Sequence, residues 1–256
     1  MEIKMIVTDL DRTLLRSGGI ISEYSVKTLL AWQQQGIIVA FATARSEDNC
    51  KRFTDVIKPD AMVTNGGANA SAGSEVIYRA IIDAKTADQI ILSCLDASNI
   101  GCITAYTNNG KYFVNKPIEV ADHGWEDYVF QLADFSKGLG CSIQKIAVEI
   151  FDDITAPAIA ASFPTVNVMQ FTGERWFCFT DKAANKLAGV KAVASHMGID
   201  LKNVVAFGDD FNDIEMLRGC GVGVAVDNAI DEAKAVADYI CRSNDEDGVA
   251  KWLENC

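Results

Sequence analysis

The segment Met5-Ile6-Val7-Thr8-Asp9-Leu10-Asp11-Arg12-Thr13-Leu14-Leu15 constrains the chain most, because an apolar run of strand length stops at two aspartates one residue apart. In an open α/β sheet the carboxyl end of a strand faces the ligand crevice. Asp9 and Asp11 would then stand on a loop that a rigid strand holds still. Two anions that close repel unless a cation sits between them, and an all-oxygen site of this kind suits Mg²⁺. The segment alone leaves a plainer alternative open, in which Asp11 caps a turn and Asp9 is its solvated neighbour.

The same pattern recurs along the chain. Ser22 is a candidate N-cap for a helix running toward Gln35 with Leu29, Leu30 and Trp32 inward, and Gly36 ends it. Ile37-Ile38-Val39-Ala40-Phe41-Ala42 has the continuous apolar character of a strand covered on both faces. It stops at Thr43-Ala44-Arg45, completing a right-handed βαβ unit that brings Thr43 to the same sheet edge as Asp9. A helix from Glu47 to Val56 leads to a third strand, Ala61-Met62-Val63-Thr64, which ends in Asn65-Gly66-Gly67, a sequence that also suits a hairpin turn.

From about residue 82 to 181 the character changes. A helix over Thr86 to Ser98 is followed by Cys102–Tyr106, an Asn108-Asn109-Gly110 turn, Tyr112–Val114, Ile146–Phe151, a helix from Ala156, Val166–Met169 and Trp176–Phe179. Strands joined by turns, with helices between them, predict an inserted α+β domain. Trp125, Trp176 and Phe177 are expected in its core.

A helix then opens at Thr180-Asp181 and runs to His196, with Leu187, Val190, Val193, Ala194 and Met197 on one face, Lys186 near its first turn and Gly198 ending it. Taken alone, a lysine in that position reads first as a solvated surface group. Val204–Phe207 reads as a strand ending in Gly208-Asp209-Asp210-Phe211-Asn212-Asp213. That loop lacks the turn glycine and distal glutamate of an EF-hand. A strand at Gly221–Val226, a helix over Ala229 to Val236, a strand at Tyr239–Cys241 and a helix ending near Leu253 complete the chain. The predicted fold is α/β, a doubly wound parallel sheet from residues 1–81 and 182–256 interrupted by the insert at 82–181.

The net charge of −12 argues against a nucleic-acid partner and against attraction to anionic lipid. The eight cysteines are scattered, with no Cys-x-x-Cys, and only two histidines, His123 and His196, are present, which excludes a multi-histidine metal site. The first strand begins within a few residues, which leaves no room for a leader in this stretch, and no apolar run is long enough to cross a bilayer, so a cytoplasmic protein is expected.

Four strands thus deliver Asp9 and Asp11, Thr43, Asn65, and Asp209 with Asp213 to one edge, and Lys186 opens a helix leading into one of them. Two or three carboxylates plus a phosphate oxygen complete an Mg²⁺ shell, which makes this a phosphoryl-transfer site. Asp9 would attack phosphorus and form an aspartyl-phosphate. Asp11 would protonate the leaving oxygen and later deprotonate water. Thr43 and Lys186 would hold the equatorial oxygens.

Asp9-Leu10-Asp11-Arg12-Thr13, Thr43, Lys186 and Gly208-Asp209-Asp210-Phe211-Asn212-Asp213 resemble the four signature motifs of the haloacid dehalogenase superfamily of phosphatases. Motif order and the position of the insert are similar to the Cof-type subfamily with a type C2 cap. The resemblance implies Asp9 as nucleophile, Asp11 as general acid and base, and Mg²⁺ bound by Asp9, Asp209 and the backbone carbonyl of Asp11, with Asp213 in the metal site. It implies phosphate contacts from Thr43, Arg45, Lys186, Asn212 and Asn65, and rim loops at Asn65-Gly66 and Val226–Ala229. Arg12 stands where the family usually has glycine, and Ala44 departs from a common Thr-Gly-Arg. Lys182 rivals Lys186, whose spacing to Leu187 fits better. Small phosphorylated metabolites, sugar phosphates above all, are the implied substrates, and Lys116, His123, Trp125 and Arg175 are candidate cap contacts. A phosphomutase, a receiver domain used as a signalling switch and a regulatory protein without activity remain alternatives.

Overall fold

The computed structural model describes residues 2–118, 129–171 and 173–256. The chain divides into two units, one formed by Met1–Arg79 with Asn185–Cys256 and the other by Ala80–Ala184.

In the first unit the apolar runs β1 (Met5–Thr8), β2 (Ile38–Ala42), β3 (Ala61–Thr64), β12 (Val204–Gly208), β13 (Val222–Ala225) and β14 (Tyr239–Ile240) pair in parallel, in the order β14-β13-β12-β1-β2-β3. Successive side chains on a strand point to opposite faces. Ile6, Val39, Phe41, Val205 and Phe207 therefore enter one core, and Met5, Val7, Ala40, Ala42, Val204 and Ala206 the other. Both faces of the central strands are dry, which is why they read as unbroken apolar runs, whereas Tyr239 and Ile240 of edge strand β14 are exposed. Each fully buried Ile or Phe among them contributes about 1.5–3 kcal/mol. The sheet is not parallel throughout. β4 (Asn69–Ala72) and β5 (Glu75–Arg79) extend it beyond β3 as an antiparallel pair, because the turn at Asn65–Gly67 reverses the chain.

Local signals explain the helices. α1 (Glu23–Gln34) starts at Ser22, whose hydroxyl accepts from Ser25 N at 3.0 Å, and Gly36 leaves it with φ +82°. Leu29 is buried, whereas Leu30 lies at the surface. The helix expected over Glu47–Val56 is only one α turn, α2 (Lys51–Thr54), after a tighter turn at Asp48–Cys50. The helix expected from Thr180 is also corrected. Asp181 is the last residue of strand β11 (Trp176–Asp181), paired with Val166, and α5 (Lys186–His196) begins at Asn185, whose side chain accepts from Ala188 N at 2.7 Å. The ladder to β10 (Val166–Gln170) continues β11 past the Thr-Asp pair that mimics a helix start. α6 (Ile214–Gly219), α7 (Asp231–Lys234) and α8 (Gly248–Leu253) complete this unit.

The second unit is α+β, with a sheet ordered β10-β11-β9-β6-β7-β8 from β6 (Ile100–Thr107), β7 (Tyr112–Val114), β8 (Phe130–Leu132), β9 (Ile143–Ile150), β10 and β11. α3 (Ala84–Asp96), capped by Asp83, buries Ala87, Ile90, Ile91 and Cys94 at helical spacing against Ile103, Val148, Phe177 and Phe179, together with Ala156 of α4 (Thr155–Ala161). Trp176 and Phe177 are both buried. Trp125 lies outside the described residues.

Candidate active site

The ends of β1 and β12 are adjacent because these strands pair from Met5 with Val204 to Thr8 with Phe207. Asp9 N continues the ladder onto Phe207 O at 3.0 Å, so the aspartate side chain starts from a backbone fixed by the sheet. It is 5% exposed. Lys186, at the first turn of α5 and equally buried, donates to Asp9 Oδ1 at 2.7 Å and to Asp213 Oδ1 at 2.6 Å. Lys182, the rival, is exposed.

Asp213 is held from its other oxygen, which accepts from Asp209 N at 3.0 Å and Asp210 N at 3.1 Å. That arrangement folds the loop after β12 back over the strand end. A Cβ at position 208 would fall 2.4 Å from the Asp213 Cβ, so glycine is required there. Asp209, 2% exposed, accepts from the Thr13 hydroxyl at 2.9 Å, and the Arg12 guanidinium stands 3.8 Å from its other oxygen. Thr13 belongs to the opening motif, but nothing in the spacing paired it with a residue so distant in sequence.

Asp9, Asp209 and Asp213 each present a carboxylate oxygen, and these three atoms lie within 4.8 Å of one another. Three gathered carboxylates against one buried ammonium leave an excess of negative charge. Burial pushes the Asp9 carboxyl well above its usual range and Asp213, Asp209 and Asp11 reinforce this, against the pull of Lys186. Burial likewise raises Asp209 to about 7, with Asp213 adding, while the Thr13 hydrogen bond, Lys186 and Arg12 oppose it. Burial works to lower the Lys186 pKa, but Asp213 and Asp9 outweigh it, so the ammonium stays charged. A cluster of hard oxygens that is costly to leave ionised alone fits a divalent cation.

Asp11 is placed differently. Its carboxylate is half exposed and accepts two hydrogen bonds from Arg45, from Nε and Nη2, both at 2.8 Å. Thr43 is fully buried at the end of β2, where its hydroxyl accepts from Arg45 N at 3.1 Å. Asn65 is buried with φ +52° and donates its backbone N–H to Arg45 O at 2.8 Å. Asn212 lies half-buried in the turn Phe211–Asp213. At the rim, Asn228 Nδ2 donates to Arg12 O at 2.7 Å, and Asn244 N donates to Asn228 Oδ1 at 2.9 Å. Arg12, with φ +59°, is pinned there in the left-handed region.

The sequence matches the haloacid dehalogenase-like hydrolases over residues 6–253. This chain belongs to that family. Among relatives of the hydrolase, a 5-amino-6-(5-phospho-D-ribitylamino)uracil phosphatase of Bacillus subtilis is 28% identical, covering 100% of this chain and 96% of the relative. A stress response protein of the same organism is 29% identical over 99% of this chain and 93% of its own length. The fold is similar to that of a solved HAD subclass IIB sugar phosphatase, with TM-score 0.87 and 26% identity over 98% of each chain. The hydrolase is a phosphatase acting on phosphoric monoesters, of the Cof type, and its α+β insert corresponds to the cap domain of such folds.

Of the cap positions expected to meet substrate, Lys116 and Arg175 are exposed, and the Arg175 guanidinium lies 5.6 Å from the Phe151 ring centre. His123 and Trp125 lie outside the described residues. Among the described residues, no helix is long and apolar enough to cross a membrane.

Proposed function

We propose that this phosphatase hydrolyses small phosphorylated metabolites, with the phosphate borne on a sugar or polyol chain, through an aspartyl-phosphate on Asp9. The observation that carries this reading is the position of Asp9 at the end of β1, its Oδ1 2.7 Å from a buried ammonium and its carboxylate grouped with Asp209 and Asp213. A fixed, dry, electropositive partner beside a carboxylate suits an oxygen that must meet phosphorus in line. In the first step an Asp9 oxygen bonds to phosphorus as the ester P–O bond breaks, and Asp11 gives its proton to the departing alkoxide. In the second, a water oxygen bonds to phosphorus as the Asp9–phosphorus bond breaks, and Asp11 takes the water's proton.

Asp9, Asp209 and the Asp11 carbonyl would hold Mg²⁺, with Asp213 steadying the loop. The ion would neutralise charge on the transferred group. Lys186 and Thr43 serve the phosphoryl oxygens, and Asn65 and Asn212 lie on the loops beside them. The substrate class draws support from the relatives, one a ribitylaminouracil phosphate phosphatase and one a sugar phosphatase. Eight free cysteines, most of them buried, support a reducing compartment, and we place the enzyme in the cytoplasm.

The test is a panel of sugar and polyol phosphates assayed in ¹⁸O-labelled water with Mg²⁺. Labelled inorganic phosphate from sugar or polyol esters, absent in Asp9→Asn, is the expected result. Unlabelled phosphate-ester isomers would indicate a mutase, and full Asp9→Asn activity would remove the nucleophile.

A further inference from the structure

We propose that Arg45 is the positioning residue of Asp11 and is not a phosphate ligand. The inference rests on the reading of Asp11 as acid and base. Both Arg45–Asp11 hydrogen bonds are 2.8 Å and parallel, the fork geometry in which guanidinium and carboxylate fix each other's plane as well as their separation. Which partner orients the other follows from how each is held. The Asp11 side chain is 49% exposed and follows directly on the nucleophile turn, whereas that of Arg45 is 17% exposed. Arg45 is also tied at three further points. Its N–H donates to the Thr43 hydroxyl, its carbonyl accepts from Asn65 N, and its guanidinium lies 5.3 Å from the ring centre of buried Phe53. Loops after β2 and β3 therefore build a rigid arm whose end grips Asp11.

A carboxylate on an irregular turn would otherwise sample several rotamers, and proton transfer to or from a reacting oxygen demands one. The grip leaves the second lone pair of each Asp11 oxygen available for a proton. Arg45 thus reaches the reaction only through Asp11. A residue acting that way has a distinct signature: once Asp11 is gone, removing Arg45 costs nothing more.

The experiment compares Arg45→Met, Arg45→Lys, Asp11→Asn and the double variant Asp11→Asn/Arg45→Met, using p-nitrophenyl phosphate and glycerol phosphate, with thermal unfolding to verify the fold. Arg45→Met is expected to lower kcat on glycerol phosphate about 10- to 100-fold with KM within about 3-fold. Arg45→Lys should recover part of the loss, and the double variant should match Asp11→Asn within about 2-fold. Losses that multiply in the double variant, or a KM raised tenfold with kcat unchanged, would make Arg45 a phosphate ligand and overturn the proposal. Should Asp11→Asn retain full activity on glycerol phosphate, the acid and base reading itself fails, and the role of Arg45 with it.

Discussion

Lys186 Nζ lies 2.7 Å from Asp9 Oδ1, an ion pair that is almost wholly buried and spans from the first strand to the fifth helix. The same ammonium holds Asp213, so one cation fixes both the proposed nucleophile and the loop that carries Asp209. Breaking a buried pair leaves charge without compensation and costs about 3–5 kcal/mol. Lys186→Met, close in length and uncharged, should lower unfolding free energy by that amount in urea titration of metal-free protein. It should also reduce kcat by at least about 10²-fold, the usual scale for one lost electrostatic contact to a transition state.

Gly67 sets where that lysine stands. It has φ +98°, and a Cβ there would fall 2.0 Å from the carbonyl oxygen of Asn185 and 2.7 Å from Lys186 N. The backbone of α5 cannot yield without moving Lys186. Gly67→Ala combines a left-handed penalty of about 1–2 kcal/mol with overpacking of about 1–3 kcal/mol. A variant that melts lower and loses kcat by tenfold or more is expected, and an unaltered kcat would show that α5 can shift without consequence for Lys186.

The cysteines give a check on the packing that is independent of activity. Burial pushes the thiols of Cys50, Cys94, Cys220 and Cys241 up to about 12, whereas Cys256 is exposed. A thiol reacts as its thiolate, so at pH 8 those four are both protonated and enclosed. Pulse labelling with a thiol reagent followed by mass spectrometry should modify Cys256 first and Cys141, half-buried, next. The other six, Cys102 and Cys178 among them, are buried and should react only when urea unfolds the chain.

Much of the first unit was legible because strands buried on both faces must be apolar at every position, as in Ile38–Ala42 and Val204–Phe207. Ser22 and Gly36 bounded α1 for the same local reasons that hold in the structure. Where local and tertiary signals conflict, the sequence misleads: Thr180-Asp181 has the composition of a helix start, yet ladder bonds to Asn167 and Val166 keep it extended. Asn69–Ala72 contains no strong strand former, and only its place beside β3 makes it a strand. The carboxylates and Thr43 were legible through their positions at strand ends, whereas Lys186 stood out only through the motif resemblance and its spacing to Leu187, because the helix it begins reads from sequence as starting at Thr180-Asp181. The Thr13–Asp209 and Arg45–Asp11 contacts were not legible, since side chains from separate loops meet only once the sheet order is set.

Thr13 offers the most direct access to the proposed metal site. Its hydroxyl, 1% exposed, donates to Asp209 Oδ1, leaving the other oxygen toward Arg12. Thr13→Val keeps the shape and removes the donor, so a buried carboxylate loses its orienting partner at a cost of about 1–3 kcal/mol. If Asp209 binds Mg²⁺, the ion should stabilise the parent protein by about 2.7 kcal/mol at 100 times its dissociation constant. Calorimetric titration of metal-stripped protein with Mg²⁺ should show binding weakened about 10- to 100-fold in Thr13→Val, the range seen when an outer partner of a metal ligand is removed. Equal affinity in the two proteins would mean that Asp209 is aimed without Thr13, and a parent that neither binds Mg²⁺ nor loses activity in chelator would remove the cation from the site.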